Sequence, residues 1–215
     1  MSSNPRDSIE SLLLESISRE LVLAVDEAMY AGARRAHEMS EAMNDGHRAN
    51  ALGQNRHFKM NETFHMALEA AGAAPSAIKG NDIITGNAGM FRLARFNIPE
   101  GFWINGRRSQ LRKQMSLANQ ALEALVQEDL FATYQRPASA VAFFVSVFSG
   151  SLKLNPEAPN YVAIAVPNRD MTGWLFREPL RAFVARFDAA PSQVDNAKPT
   201  LKVRRLKDHN TGTGA

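Results

Sequence analysis

The chain contains no cysteine, and that one absence removes several chemistries together. A disulfide framework, cysteine-ligated zinc, an iron–sulfur cluster and a thiol nucleophile all need sulfur that is not there. It also lacks a long apolar run. The most hydrophobic stretch, AVAFFVSVF from Ala140 to Phe148, falls far short of the ~20 residues that a membrane-spanning helix needs. The opening MSSNPRDSIE is polar and has no apolar region of the kind a secretory signal carries. These features lead to the expectation of a cytoplasmic protein without a membrane partner. Standard site motifs are missing too. HEMSE at 37–41 lacks the second histidine of a zinc-protease helix, and TGNAGM at 85–90 lacks both the Lys-Ser/Thr of a phosphate loop and the third glycine of a dinucleotide fingerprint. FSGSL at 148–152 inverts the order of a nucleophile elbow. No lysine follows Glu157 along the next apolar run, which counts against a two-metal nuclease. Neither a metal nor an organic cofactor is expected.

Acidic residues are scarce in one place. Between Glu100 and Glu123 there is no carboxylate, and that window holds NGRRSQLRKQ, with Arg107, Arg108, Arg112 and Lys113. Residues 1–100 carry 10 Lys/Arg against 13 Asp/Glu, whereas residues 101–215 carry 15 against 9. The net charge of +3 is thus the difference between a mildly acidic half and a basic one. Such a distribution permits a polyanionic partner at the basic half.

What is present is ample core material. Of 215 residues, 45% are hydrophobic, enough for one packed domain with a helical appendage. Ile9, Leu13, Ile17, Leu21, Ala24 and Ala28 recur at helical steps, so a long helix is expected over about Ser8–Met43. Leu12, Leu14, Val22, Leu23 and Val25 widen its apolar sector, which suits burial on two sides or a partner helix from a second copy. His47–Lys59 is polar and ambiguous, and Asn61 is placed to cap a short helix. From Asp82 the texture becomes β. DIIT and MFRLARF flank the turn-rich GNAG, and the basic stretch opens a helix over about Arg107–Gln127 with Leu111, Met115, Ala118, Leu122 and Leu125 inward. SAVAFFVSVF reads as a central strand covered on both faces, paired with NYVAIAVP in a long-looped hairpin. A last helix is expected over Glu178–Phe187. The fold class is α+β: a helical N-terminal segment (1–80) packed on a core (81–188) of order β-β-α-β-β-α. Its sheet should be mainly antiparallel, with helices on one face, followed by a basic flexible tail (189–215).

Three functions follow as expectations. The first is a non-enzymatic, nucleic-acid-associating accessory or regulatory protein. Arg107, Arg108, Arg112 and Lys113 would grip phosphates, aided by the tail residues Lys202, Arg204, Arg205 and Lys207. Phe102 and Trp103 would offer stacking surfaces for bases. Neither cluster matches an established nucleic-acid motif. The second is a metal-independent hydrolase or nuclease. In GQNRHFKMNETFH, a helix would set His57, Asn61 and His65 on one face, with the two histidines as base and acid and Arg56 holding a phosphate. The third is a dimeric, antitoxin-like interaction protein paired through the wide apolar face of the first helix. In PNRDMTGWLF, Asp170 is placed to orient Arg169 at the end of a strand.

Overall fold

The computed structural model describes residues 5–126, 137–151 and 154–188. Its elements run α1 (Pro5–Ser16), α2 (Arg19–Glu41), α3 (Asp45–Ala70), β1 (Thr85–Ala88), β2 (Phe91–Pro99), a 3₁₀ turn (Trp103–Arg108) and α4 (Gln110–Ser116). A second 3₁₀ turn (Leu117–Asn119), α5 (Gln120–Val126), β3 (Ala140–Phe148), β4 (Tyr161–Pro167), β5 (Trp174–Pro179) and α6 (Leu180–Asp188) follow. The strands form one sheet in sequence order, β1 to β5. Only the β2–β3 pair is parallel, bridged by the helical segment 103–126, and the other three pairs are antiparallel. The mixed α+β class and the mainly antiparallel sheet agree with the sequence.

Strand β3 lies in the middle, and all of its residues are buried. Its alternation divides the core. Ala140, Ala142, Phe144 and Phe148 join Phe91, Leu93, Ile164 and Phe176 beneath α1, α2, α3 and α6. Val141, Phe143, Val145 and Val147 join Phe96, Ile98, Met115 and Met171 on the opposite face. The 3₁₀ turn and α4 cover that second face, with Trp103 packed against it. The expectation of helices on one face is therefore corrected: a strand apolar on both sides needs a second cover.

Four boundaries also differ from the sequence reading. The first helix divides at Ser16–Ser18, where the Ser18 side chain accepts from the Leu21 amide at 3.2 Å and restarts the chain as α2. The polar stretch from His47 is helical throughout: α3 runs unbroken over 26 residues, and Asn61 sits inside it instead of capping it. The helix expected over 107–127 is segmented, with Leu111 and Leu117 exposed while Met115 and Leu122 are buried. The Leu125 side chain lies outside the described residues. Finally, WLFREP forms an additional edge strand, β5.

Much of the wide apolar face of α2 is covered within the chain, while Leu23 is 41% exposed. Leu21, Val22, Val25, Met29 and Ala33 are buried in the core that α3, α6 and the sheet share. Arg186 ties α6 to α1 through Glu10 and to the end of β5 through Glu178. Among the described residues, no helix is long and apolar enough to cross a membrane.

Candidate functional site

The basic stretch 105–114 begins in a 3₁₀ turn, not in the first turn of a helix. Arg107 and Arg108 close that turn, where a helix dipole favours cations. Ser109 then caps α4, accepting from the Arg112 amide at 3.4 Å. Arg107 and Arg108 thus directly precede the cap of α4. Both are exposed, and among the described residues neither forms an ion pair or a hydrogen bond. Phe102 and Ile104 beside them are 56% and 55% exposed. An unpaired cationic pair thus adjoins an apolar, partly aromatic rim.

Two neighbours behave differently. Arg112 folds back: its Nε donates to the Gly106 carbonyl at 2.8 Å, and its guanidinium lies 4.6 Å from the Phe96 ring centroid. Burial pushes its pKa down. Arg112 therefore holds the turn against the sheet, in addition to its expected place among the phosphate contacts. Trp103 is also engaged, edge-on to Trp174 at 5.3 Å and covered by the Arg177 guanidinium at 4.5 Å, so it is not an open stacking surface. Lys113 is half-buried and lines a shallow cavity of about 320 Å³ with Gln114, Leu117, Arg169 and Asp170. The expected contact of Arg169 with Asp170 is present at 3.5 Å, and Glu123 shares the same guanidinium at 3.7 Å. Lys202, Arg204, Arg205 and Lys207 lie outside the described residues.

The second expected cluster, in α3, is only partly assembled. His57 and Asn61 meet Arg95 of β2, which also reaches Asn97, whereas Arg56 turns to the Phe148 ring and the Pro156 carbonyl. Asn61 is the hub. Its Oδ1 accepts from Arg95 Nε at 3.0 Å, while its Nδ2 donates to the Asp82 carbonyl at 3.3 Å and faces His57 Nε2 at 3.4 Å. The Arg95 guanidinium also reaches Asn97 Oδ1 and the His57 carbonyl, each at 3.4 Å. His65, one turn beyond Asn61, is half-buried and makes no hydrogen bond or ion pair among the described residues. Among the described residues no hydrogen bond joins His57 to His65.

Arg95 was not singled out from the sequence, yet it is the most buried charge described, at 4% exposure. Its signal was the alternation of β2. Phe91 and Leu93 face the helices, so Arg95 must as well. Burial alone pulls its pKa down to about 9 and that of Arg56 to about 10, so both stay charged at neutral pH. No carboxylate pairs with either one among the described residues. Lys59 occupies the nearby Glu62 at 2.9 Å.

Burial lowers the His57 pKa, and the Arg95 charge lowers it further, against a smaller opposing effect of a backbone hydrogen bond at Asn81. Because the unfolded chain then binds the proton more readily, His57 should reduce stability as pH falls through about 6.5. Urea unfolding of His57→Gln at pH 7.5 and 5.0 is expected to show a smaller loss on the acid side than the parent protein shows.

Among the described residues, no group of three or more His, Asp or Glu side chains is placed to hold a metal ion. The chain matches no protein-family model, no curated protein and no solved structure.

Proposed function

We propose that this is a non-enzymatic nucleic-acid-associating protein of accessory or regulatory type, which contacts phosphates through Arg107 and Arg108. One observation carries the reading: these two exposed guanidinium groups lack a carboxylate partner among the described residues and adjoin the exposed Phe102. Unpaired arginines next to an exposed ring match a strand that presents phosphate and base face alternately. Lys113 adds charge nearby, whereas Arg112 supports the turn from beneath. The tail residues Lys202, Arg204, Arg205 and Lys207 would add phosphate contacts and counterion release.

Contacts of this kind position a protein without reading bases. Arg107→Ala/Arg108→Ala should therefore weaken binding to unrelated oligonucleotides by similar factors, roughly tenfold at low salt. Fluorescence anisotropy with three sequences of equal length checks this. A loss confined to one sequence would contradict the phosphate-contact reading. Phe102→Ala should weaken single-stranded binding by about 1–3 kcal/mol and leave duplex binding less affected.

The two other readings have less geometric support. A hydrolase needs His57 and His65 in one pocket, and His65 stands outside the polar network. A homodimer through the N-terminal helices has little of α2 left to cover: Val22 and Val25 are buried by their own chain, and Leu23 is exposed.

A further inference from the structure

The cluster beneath α3 carries more positive charge than its surroundings compensate. Arg95 is fully enclosed, and its guanidinium cannot shed its proton at physiological pH. Its three hydrogen-bond acceptors, Asn61 Oδ1, Asn97 Oδ1 and the His57 carbonyl, are all neutral. Five N–H groups meet three acceptors, so donor capacity remains. Arg56 is a second guanidinium, stacked on the Phe148 ring at 3.9 Å and anchored by the Pro156 carbonyl. Its Nε is buried without a partner, as is the hydroxyl oxygen of Ser146.

These unused groups share one place in the sheet. Asn97 and Ser146 are register partners across β2 and β3. Ser146 and Phe148 are two positions apart on the same strand face, roughly 7 Å along it. Arg56, lying over Phe148, therefore flanks Ser146, and Arg95 precedes Asn97 on the neighbouring strand by the same step. Residues 56, 57 and 61 of α3 close over this patch. Arg56, His57 and Asn97 are each half-buried, so the rim of the cluster reaches solvent.

We propose that Arg56, Arg95, Asn97 and Ser146, with His57 at the rim, form a binding site for a dianionic phosphate group. Two guanidinium groups without a carboxylate partner among the described residues match a dianion in charge better than they match a monoanionic carboxylate. Donors from two strands and a helix surround a tetrahedral oxyanion more fully than they would a planar one. A buried cation is costly unless an anion offsets it, and a bound phosphate supplies that anion. The site lies under α3, on the sheet face opposite the 3₁₀ turn and α4, so it stands independently of the nucleic-acid interface.

The test is isothermal calorimetry on the intact chain, with inorganic phosphate and with phenyl phosphate, against chloride at matched ionic strength. Saturable binding of one phosphate per chain is expected. Arg95→Met and Arg56→Gln should each weaken it at least tenfold, while Arg107→Ala/Arg108→Ala should leave it unchanged. Binding of the inorganic ion alone would assign the site to free phosphate; binding of both probes would assign it to a phosphate monoester. No saturable heat beyond that of chloride would overturn the proposal, as would undiminished binding by Arg56→Gln. The Arg56 variant decides the matter if Arg95→Met does not fold.

Discussion

Asn119→Ala is expected to lower the thermal midpoint by roughly 6–12 °C, from a loss of about 3 kcal/mol. Asn119 is fully buried and acts as a substitute strand. The β3–β4 ladder ends at the pair Phe143–Ala165; the next equivalent pair would be Val141 with Pro167. Proline has no N–H to give, and the β4–β5 register shifts at Val166/Pro167. The Asn119 side chain fills that gap. Its Nδ2 donates to the Val141 carbonyl at 3.0 Å and to the Pro167 carbonyl at 2.8 Å, and its Oδ1 accepts from the Val141 amide at 2.6 Å. Alanine would leave those backbone groups buried without partners. Asn119→Asp should also destabilise, because a carboxylate cannot donate to two carbonyls. Thermal unfolding followed by circular dichroism measures both variants.

Gly32→Val is expected to cost about 3 kcal/mol or more. Helices α2 and α3 cross at this glycine. A Cβ there would lie 2.5 Å from Thr63 Oγ1, 2.8 Å from Met60 Cα and 3.0 Å from the Lys59 carbonyl. Two of those three atoms are backbone and cannot rotate away. Gly53 in α3 provides the control, since a Cβ there meets nothing within 4 Å. Gly53→Ala should stabilise by up to about 1 kcal/mol through helix propensity. Urea midpoints shifting in opposite directions for the two substitutions would establish Gly32 as a packing requirement.

What could be read from the sequence depended on how strongly burial patterned each segment. AVAFFVSVF was legible as the central strand because a strand covered on both faces has almost no room for polar residues. Helix α3 was obscure because its N-terminal half is mostly exposed. Leu52 is its only buried residue before Met60, so no apolar stripe announced it. The basic helix seemed continuous because Leu111, Met115, Ala118 and Leu122 keep helical spacing. The chain nevertheless breaks at the Ser109 cap and again at Leu117–Asn119, where Asn119 is drawn into the sheet. Strand β5 was hidden by its half-exposed position at the sheet edge and by the turn before it.

The candidate sites divide along similar lines. Exposed charge was visible in the sequence, and Arg107 and Arg108 have no ion-pair partner among the described residues. Which arginine turns inward was not visible, because Arg112 is held by the Gly106 carbonyl and the Phe96 ring, contacts that only the folded turn creates. Arg56, His57 and Asn61 drew attention through helical spacing. Arg95 did not, although its place two residues after Leu93 committed it to a core face.

The central claim is that Arg107 and Arg108 contact nucleic-acid phosphates. Its most direct test is the salt dependence of duplex binding, plotted as log K against log salt, for the parent protein and for Arg107→Ala/Arg108→Ala. A linear fall is expected for the parent, with a slope shallower by up to about 1.8 in the double variant. Binding that does not respond to salt, or a slope identical in the two proteins, would contradict it.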